Sequence, residues 1–365
     1  LFFLNKKSIK LKLKFSDNKI NFFFFLTIFF FLISSIFSIK PERSILVTIY
    51  FIFFVILSLN LFHVLQKRED DYKKIINIFI ISTIINILII FSYNIYESGL
   101  IVGDLEIYGI KKYKGLLNIF SILVLILFFF KRSKLFLLPL ILILPSLYLS
   151  NSNAPVLGFL VGSIVFIVYK MIKKFNINKI SFFTLAIFFT ILVGLFIKEL
   201  PNKFDQNSIN TFNFKIPISI LDAHRQFIWG FSLSKFYENP FFGYGPDTSN
   251  FIKDGQRVIG SEFTGTMKFI PSHPHNFVIE LLLETGLIGT ISFIMFIIML
   301  NYKIFNKANH RQKSFLIFFN GYFWGASLVN FSFWQAWWQS SYFFLLFLMA
   351  IKIIEFSNKG QNETL

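Results

Sequence analysis

Cysteine is absent from the chain, which excludes disulfides, thiolate metal sites and cysteine nucleophiles. Charge is scarce as well: 15% of the 365 residues are Asp, Glu, Lys or Arg, well under the roughly 25% of a soluble domain. Arginine is rarer still, six residues among 36 bases. No Asp-x-Asp occurs, which argues against a metal-bound nucleotide-sugar diphosphate, and no Walker, Rossmann or Gly-x-Ser-x-Gly pattern is found. What the chain does have is apolar bulk. It is 55% hydrophobic and carries 55 Phe, more than a water-soluble fold can bury.

The apolar residues come in runs separated by short Lys-bearing connectors. A run of about 20 residues at 1.5 Å per residue crosses a hydrocarbon core of about 30 Å. The pattern predicts spans near 21–39, 44–65, 75–95, 116–130, 135–150, 156–169, 180–197, 277–300, 314–332 and 338–354. The fold expected is therefore all-α, a polytopic transmembrane bundle of about ten spans and up to twelve. The first run follows a basic stretch but is too long for a signal-peptide core and lacks a cleavage site, so it reads as a retained anchor.

The net charge of +17 raises the question of nucleic acid, but the bases sit in connectors and form no single basic face, so none is expected. They read as topology signals. With the N-terminus inside, the cytoplasmic connectors carry six bases in 1–20, four in 66–74, three in 131–134, four in 170–179 and four in 301–313. The opposite connectors carry two in 40–43, three in 96–114 and none in 151–155. Both termini are expected in the cytoplasm. The chain then divides into N-terminal spans (1–197), one large outer-face loop (198–276), and C-terminal spans with a tail (277–365). An amphipathic stretch within the loop, Ile218 to Tyr237, is expected to lie along the membrane surface.

Two constellations could carry chemistry. The first is Ser272-His273-Pro274-His275-Asn276, followed by Glu280 and Glu284-Thr285-Gly286-Leu287-Ile288-Gly289. Spacing at i, i+4, i+8 lines up Asn276, Glu280 and Glu284 on one helix stripe, aiming two carboxylates into the bundle where ionisable groups are costly. One reading is packing: the Glu residues pair with bases while His275 or Asn276 caps the helix. The other is functional: a helix N-terminus offers free N–H groups to an anion, and its dipole favours neutral imidazole. A metal site built from His224, His273 and His275 has no supporting local spacing.

The second constellation is His224-Arg225-Gln226-Phe227-Ile228-Trp229, then Asn239-Pro240-Phe241-Phe242-Gly243-Tyr244-Gly245-Pro246. The Gly-x-Gly between prolines reads as a tight turn. Arg225 and Arg257, in a chain so poor in arginine, suggest a phosphate gripped by paired charge-assisted hydrogen bonds. Glu69-Asp70-Asp71 reads as a solvated face, and Trp334, Trp337 and Trp338 as an interfacial aromatic belt.

Taken in order, these segments resemble the O-antigen ligase family, which includes O-antigen polymerases and pilin-type oligosaccharyltransferases. The motif-bearing part covers about residues 220–300, with His-Pro-His-Asn-x-x-x-Glu-x-x-x-Glu-x-Gly-x-x-Gly (273–289) the most specific element. The resemblance implies a bacterial inner-membrane enzyme without metal or other cofactor. It would take a glycan from an undecaprenyl-diphosphate carrier and attach it to a lipid-linked or protein acceptor such as lipid A-core. It implies His275 and Arg225 as catalytic residues and Arg257 as a second loop Arg; together with the helix-stripe reading, Arg257, Asn276, Glu280, Glu284 and His273 are expected to bind substrate. Members often show Ser-Arg-Gly or Ser-Arg-Ala at the outer start of an earlier span; here that stretch is Ser152-Asn153-Ala154, so either another base supplies the positive charge or the substrate is handled differently. Acceptor identity, ligase against polymerase, stays open. A transporter is the alternative from another class; it predicts pseudo-symmetric halves, which the sequence does not display.

Overall fold

The computed structural model describes residues 13–99, 114–131, 133–150, 152–174, 191, 193–329 and 331–362. The chain is an all-α polytopic membrane protein. Among the described residues six helices are long and apolar enough to span a bilayer: α1 (Asn18–Ile36), α2 (Pro41–Leu65), α3 (Glu69–Glu97), α6 (Asn153–Lys174), α9 (Phe277–Lys307) and α11 (Ala336–Asn362, apolar to Ile354). Shorter apolar helices are α4 (Lys114–Phe130) and α5 (Leu137–Leu149, containing Pro145), and α10 (His310–Ala326) is a shorter helix with a polar first turn. The span expected at 180–197 lies largely outside the described residues.

Local chemistry sets the boundaries. Asp17 caps α1, its carboxylate accepting from Lys19 N at 2.9 Å, and Pro41 opens α2 where a missing N–H costs nothing. The Glu69-Asp70-Asp71 cluster occupies the first turn of α3, the positive end of its dipole, and is flanked by Lys73–Glu69 (2.7 Å) and Arg68–Asp71 (3.6 Å) pairs.

Helix ends sort into two sets. At one end Asp17 pairs with Lys303 at 2.9 Å, Tyr72 Oη donates to Leu348 O at 3.1 Å, and Arg311 donates to Phe128 O at 3.1 Å. At the other end Arg43 pairs with Asp247 at 2.7 Å and Ile39 N donates to Tyr244 O at 3.1 Å. The basic connectors 66–74 and 301–313 thus share one end, and the long loop caps the opposite one.

In a bilayer helices gain little from the hydrophobic effect, so close approach and shape decide which ones meet. Phe31, Phe51, Phe293 and Phe333 interlock α1, α2, α9 and the segment before α11, with Phe31 centroids 5.5 Å from Phe51 and 6.3 Å from Phe293. Helices α6 and α10 touch through glycines: a Cβ on Gly321 would lie 2.8 Å from Gly162 Cα, and one on Gly325 would lie 2.7 Å from Val161 Cβ.

The loop has its own apolar core. Helix α7 (Gln206–Asn210) and helix α8 (Ala223–Glu238) bury Ile209, Phe227 and Phe231 with Ile259, Phe269 and Leu283, the last belonging to α9. The other face of α8 buries Ile228, Trp229 and Leu233 against Leu200 and Leu221. This corrects the expectation of a helix lying on the membrane surface: α8 is covered on both faces, and a Cβ on Gly230 would lie 2.1 Å from Pro201 O.

Candidate functional site

The loop meets the bundle at the start of α9. Asn276 is the N-cap, its Oδ1 accepting from Val278 N (3.0 Å) and Ile279 N (3.2 Å), while Glu280 N donates to Asn276 O and Phe277 N to Ser327 O. The first-turn donors are therefore occupied, which corrects the expectation of free N–H groups awaiting an anion. Asn276 itself is buried as a cap and offers no carbonyl to a ligand.

Glu280 and Glu284 are fully buried, and neither pairs with a base among the described residues. Glu280 accepts from Ser332 Oγ at 2.6 Å and Phe333 N at 2.7 Å. Glu284 accepts from Asp247 N (2.8 Å), Thr248 N (3.0 Å), Ser249 N (2.8 Å) and Trp334 Nε1. A buried carboxylate requires such donors, and the described residues supply them to both glutamates. Trp334 and Trp338 are interior too, contrary to the aromatic-belt expectation. Trp338 stacks on Phe323 at 4.1 Å and donates to Ser327 Oγ at 2.7 Å.

The Asn-Pro-Phe-Phe-Gly-Tyr-Gly-Pro turn is the counterpart of a break in α9. Gly286 has φ +66°, and Leu287 N turns away to Pro240 O at 2.7 Å. The carbonyls freed by the break accept from the turn: Tyr244 N donates to Leu283 O (3.0 Å) and Gly245 N to Glu284 O (2.8 Å). Ser34 Oγ also donates to Glu284 O, at 2.7 Å. Backbones approach so closely that a Cβ on Gly243 would lie 2.5 Å from Glu284 C, and one on Gly286 2.2 Å from Phe241 O. Beside this lock burial pushes the Tyr244 hydroxyl up to about 12, assisted by Glu238, which accepts from it at 2.9 Å. Burial also lifts the Asp247 carboxyl above its ordinary range, with Arg43 drawing it back.

His275 is half-buried and holds φ +56°, a left-handed conformation costing a non-glycine residue about 1–2 kcal/mol. Its neighbours enforce it: Pro274 O accepts from Trp229 Nε1 at 3.0 Å, Asn276 is fixed as a cap, and Phe277 is tied to Ser327. His273 does not diverge from it. The two rings lie 4.2 Å apart, and His273 Nδ1 is 2.9 Å from Ser272 Oγ. His224 Nε2 contacts Lys268 O at 2.9 Å, which ties that ring to the loop.

Arg225 lies one turn before Trp229 on the same face of α8. Its Nη1 pairs with Asp222 Oδ2 and its Nη2 donates to Val329 O at 3.2 Å, while Nε is buried with no hydrogen-bond partner among the described residues. Arg225 contacts 329 and Trp229 contacts 274, and residue 327 is bonded to 277. The Arg-x-x-x-Trp face therefore closes on the His275 corner. Asp222, which also caps α8 through Arg225 N at 2.8 Å, was legible as an Asp ahead of a helix but went unread; the 327–334 segment had no such signal. Arg257 is exposed, lying over Phe269 at 5.1 Å and donating to Phe204 O.

A family model described as O-Antigen ligase matches residues 138–294. A Rickettsia bellii protein assigned by name as a polysaccharide ligase is 30% identical over 337 residues, covering 88% of this chain and 78% of that protein. Similarly named proteins of Rickettsia conorii (29% over 293 residues, 79% and 68% covered) and Rickettsia typhi (29% over 329 residues, 88% and 78% covered) align as well.

Proposed function

The chain belongs to the O-antigen ligase family, and from that premise we propose that it is a metal-independent glycosyltransferase of the bacterial inner membrane. Its periplasmic loop would transfer a glycan from undecaprenyl diphosphate to an acceptor such as lipid A-core. The observation that carries this reading is the convergence of Arg225 and Trp229, from one face of α8, on the His275 corner at the mouth of α9.

The chemistry asks for two things. As the bond from the anomeric carbon to the carrier oxygen breaks, negative charge grows on the diphosphate; the partly exposed Arg225 guanidinium stabilises it, with Arg257 as a second cation further along the loop. As the new bond forms, the acceptor hydroxyl loses its proton to His275, a step worth about 10² to 10⁴ in rate. Attack from the face opposite the leaving group inverts the anomeric centre. Asn276, Glu280 and Glu284 act on substrate only through the corner they hold.

The test uses membrane vesicles with matched protein levels and a carrier-linked glycan. His275→Asn is the informative variant because Asn tolerates the left-handed backbone while removing the base. Transfer is expected to fall at least a hundredfold while carrier-linked glycan accumulates, with His273→Asn losing far less. Retention of transfer in His275→Asn together with its loss in His273→Asn would move the base to His273; retention in both would remove base catalysis by either.

A further inference from the structure

The bases at the loop-distal end of the bundle are not all alike. Lys303 is held by Asp17, Lys73 by Glu69 and Arg68 by Asp71, while Arg311 and Lys352 donate to helix-end carbonyls of α4. Lys170, Lys173 and Lys313 have no carboxylate partner among the described residues, and they gather at one corner. His310, exposed there ahead of the apolar part of α10, has its proton affinity lowered by Lys173 and Lys170 first, with desolvation and Lys313 adding. Topology signalling requires bases on this side but does not require three to converge around a histidine.

Directly above this corner runs a groove of about 370 Å³ between α6, α9 and α10, lined by Val165, Ile298, Tyr302, Phe305, Ile317 and Trp324 among others. Its lower end joins the bases. Lys313 Nζ lies 5.0 Å above the Phe305 ring, and Tyr169 packs on the same ring at 6.0 Å. Val165, Tyr169 and Lys173, at i, i+4, i+8, line one stripe of α6 from groove to corner. An apolar channel parallel to the helices, ending in uncompensated positive charge where helices end, matches a molecule with an acyl chain and an anionic head.

We propose that the groove between α6, α9 and α10 is a binding site for an anionic phospholipid, its acyl chain along the groove and its phosphate on Lys170, Lys173 and Lys313. A phosphate there meets three cations at the membrane surface, where each lysine adds appreciable affinity for an acidic lipid. The lysine end of the site lies at the opposite end of the bundle from the loop, and the proposal does not depend on the transfer reaction.

The test is lipid retention by the purified full-length chain in detergent, read by native mass spectrometry, with phosphatidylglycerol and phosphatidylcholine of the same acyl chains. The wild-type chain is expected to prefer phosphatidylglycerol at least tenfold. The triple variant K170Q/K173Q/K313Q should lose that preference, while K67Q/K74Q/K131Q, which removes the same charge from the same end, should keep it. Ile298→Trp, at an exposed groove position, should weaken retention with all lysines present. Equal loss in both triple variants would show diffuse attraction only and overturn the site. Unchanged retention in Ile298→Trp would overturn the acyl seat, and displacement by glycerol phosphate would replace the lipid with a soluble phosphate.

Discussion

At the scale of single residues, the account rests on Arg225 and His275. Arg225 is held by Asp222 on one side and Val329 O on the other, so its planar fork is oriented before any ligand arrives. Arg225→Lys keeps the charge but cannot span both partners, and transfer should fall at least tenfold in vesicles with membrane levels unchanged; full activity would remove Arg225 from the site. Both are candidates on sequence grounds because each stands out in composition or motif: one of six arginines, and the His beside Asn at a span boundary. The partners of Glu280 and Glu284 were not legible. Their donors are backbone N–H groups, a serine hydroxyl and an indole, lying in 332–334 and 247–249, and a backbone N–H has no signature in a sequence. For the same reason the occupied first turn of α9 could not be foreseen, since Phe277 N finds its acceptor fifty residues away at Ser327 O.

Elements show how the site is held rigid. The break at Gly286 and the 239–246 turn form one lock, closed by Glu284, whose carboxylate satisfies three backbone donors of 247–249. Glu284→Ala leaves those donors buried and unsatisfied at about 1–3 kcal/mol each, so thermal unfolding in detergent should begin well below that of the wild-type chain. Gly286→Ala should be comparably damaging, because the new Cβ falls 2.2 Å from Phe241 O at a left-handed φ. An unchanged melting point in both variants would mean the lock bears no weight. Apolar runs located most helices, because lipid selects for length and hydrophobicity, which a sequence displays directly. The glycine contact between α6 and α10 does have a sequence signal, since Gly158-x-x-x-Gly162 and Gly321-x-x-x-Gly325 carry the small-residue spacing that permits close approach. Helix α8 misled for the opposite reason. Its amphipathic spacing resembles that of a surface helix, but residues 200–221 and 252–270 cover both of its faces, and only tertiary structure supplies that cover.

For the whole molecule, the ion pairs place the long loop and the Lys-rich connectors 66–74 and 301–313 at opposite ends, and we propose that the loop end faces the periplasm. Because the chain has no cysteine, single introduced thiols report topology cleanly. Asn207→Cys in α7 should react with an impermeant reagent in intact cells, and Asn306→Cys should react only after lysis; Asn306 is preferred to Asn309, which caps α10. Labelling of Asn306→Cys alone in intact cells would invert the molecule. Above topology stands transfer itself. The direct measurement is to place the purified chain in proteoliposomes with a defined undecaprenyl-diphosphate glycan and a lipid A-core acceptor, and to follow both products. Undecaprenyl diphosphate is expected to be released one for one with glycan attached to the acceptor, the anomeric configuration inverted, and both products lost in His275→Asn. Release of carrier without glycosylated acceptor, or an acceptor product that retains a phosphate, would contradict that expectation.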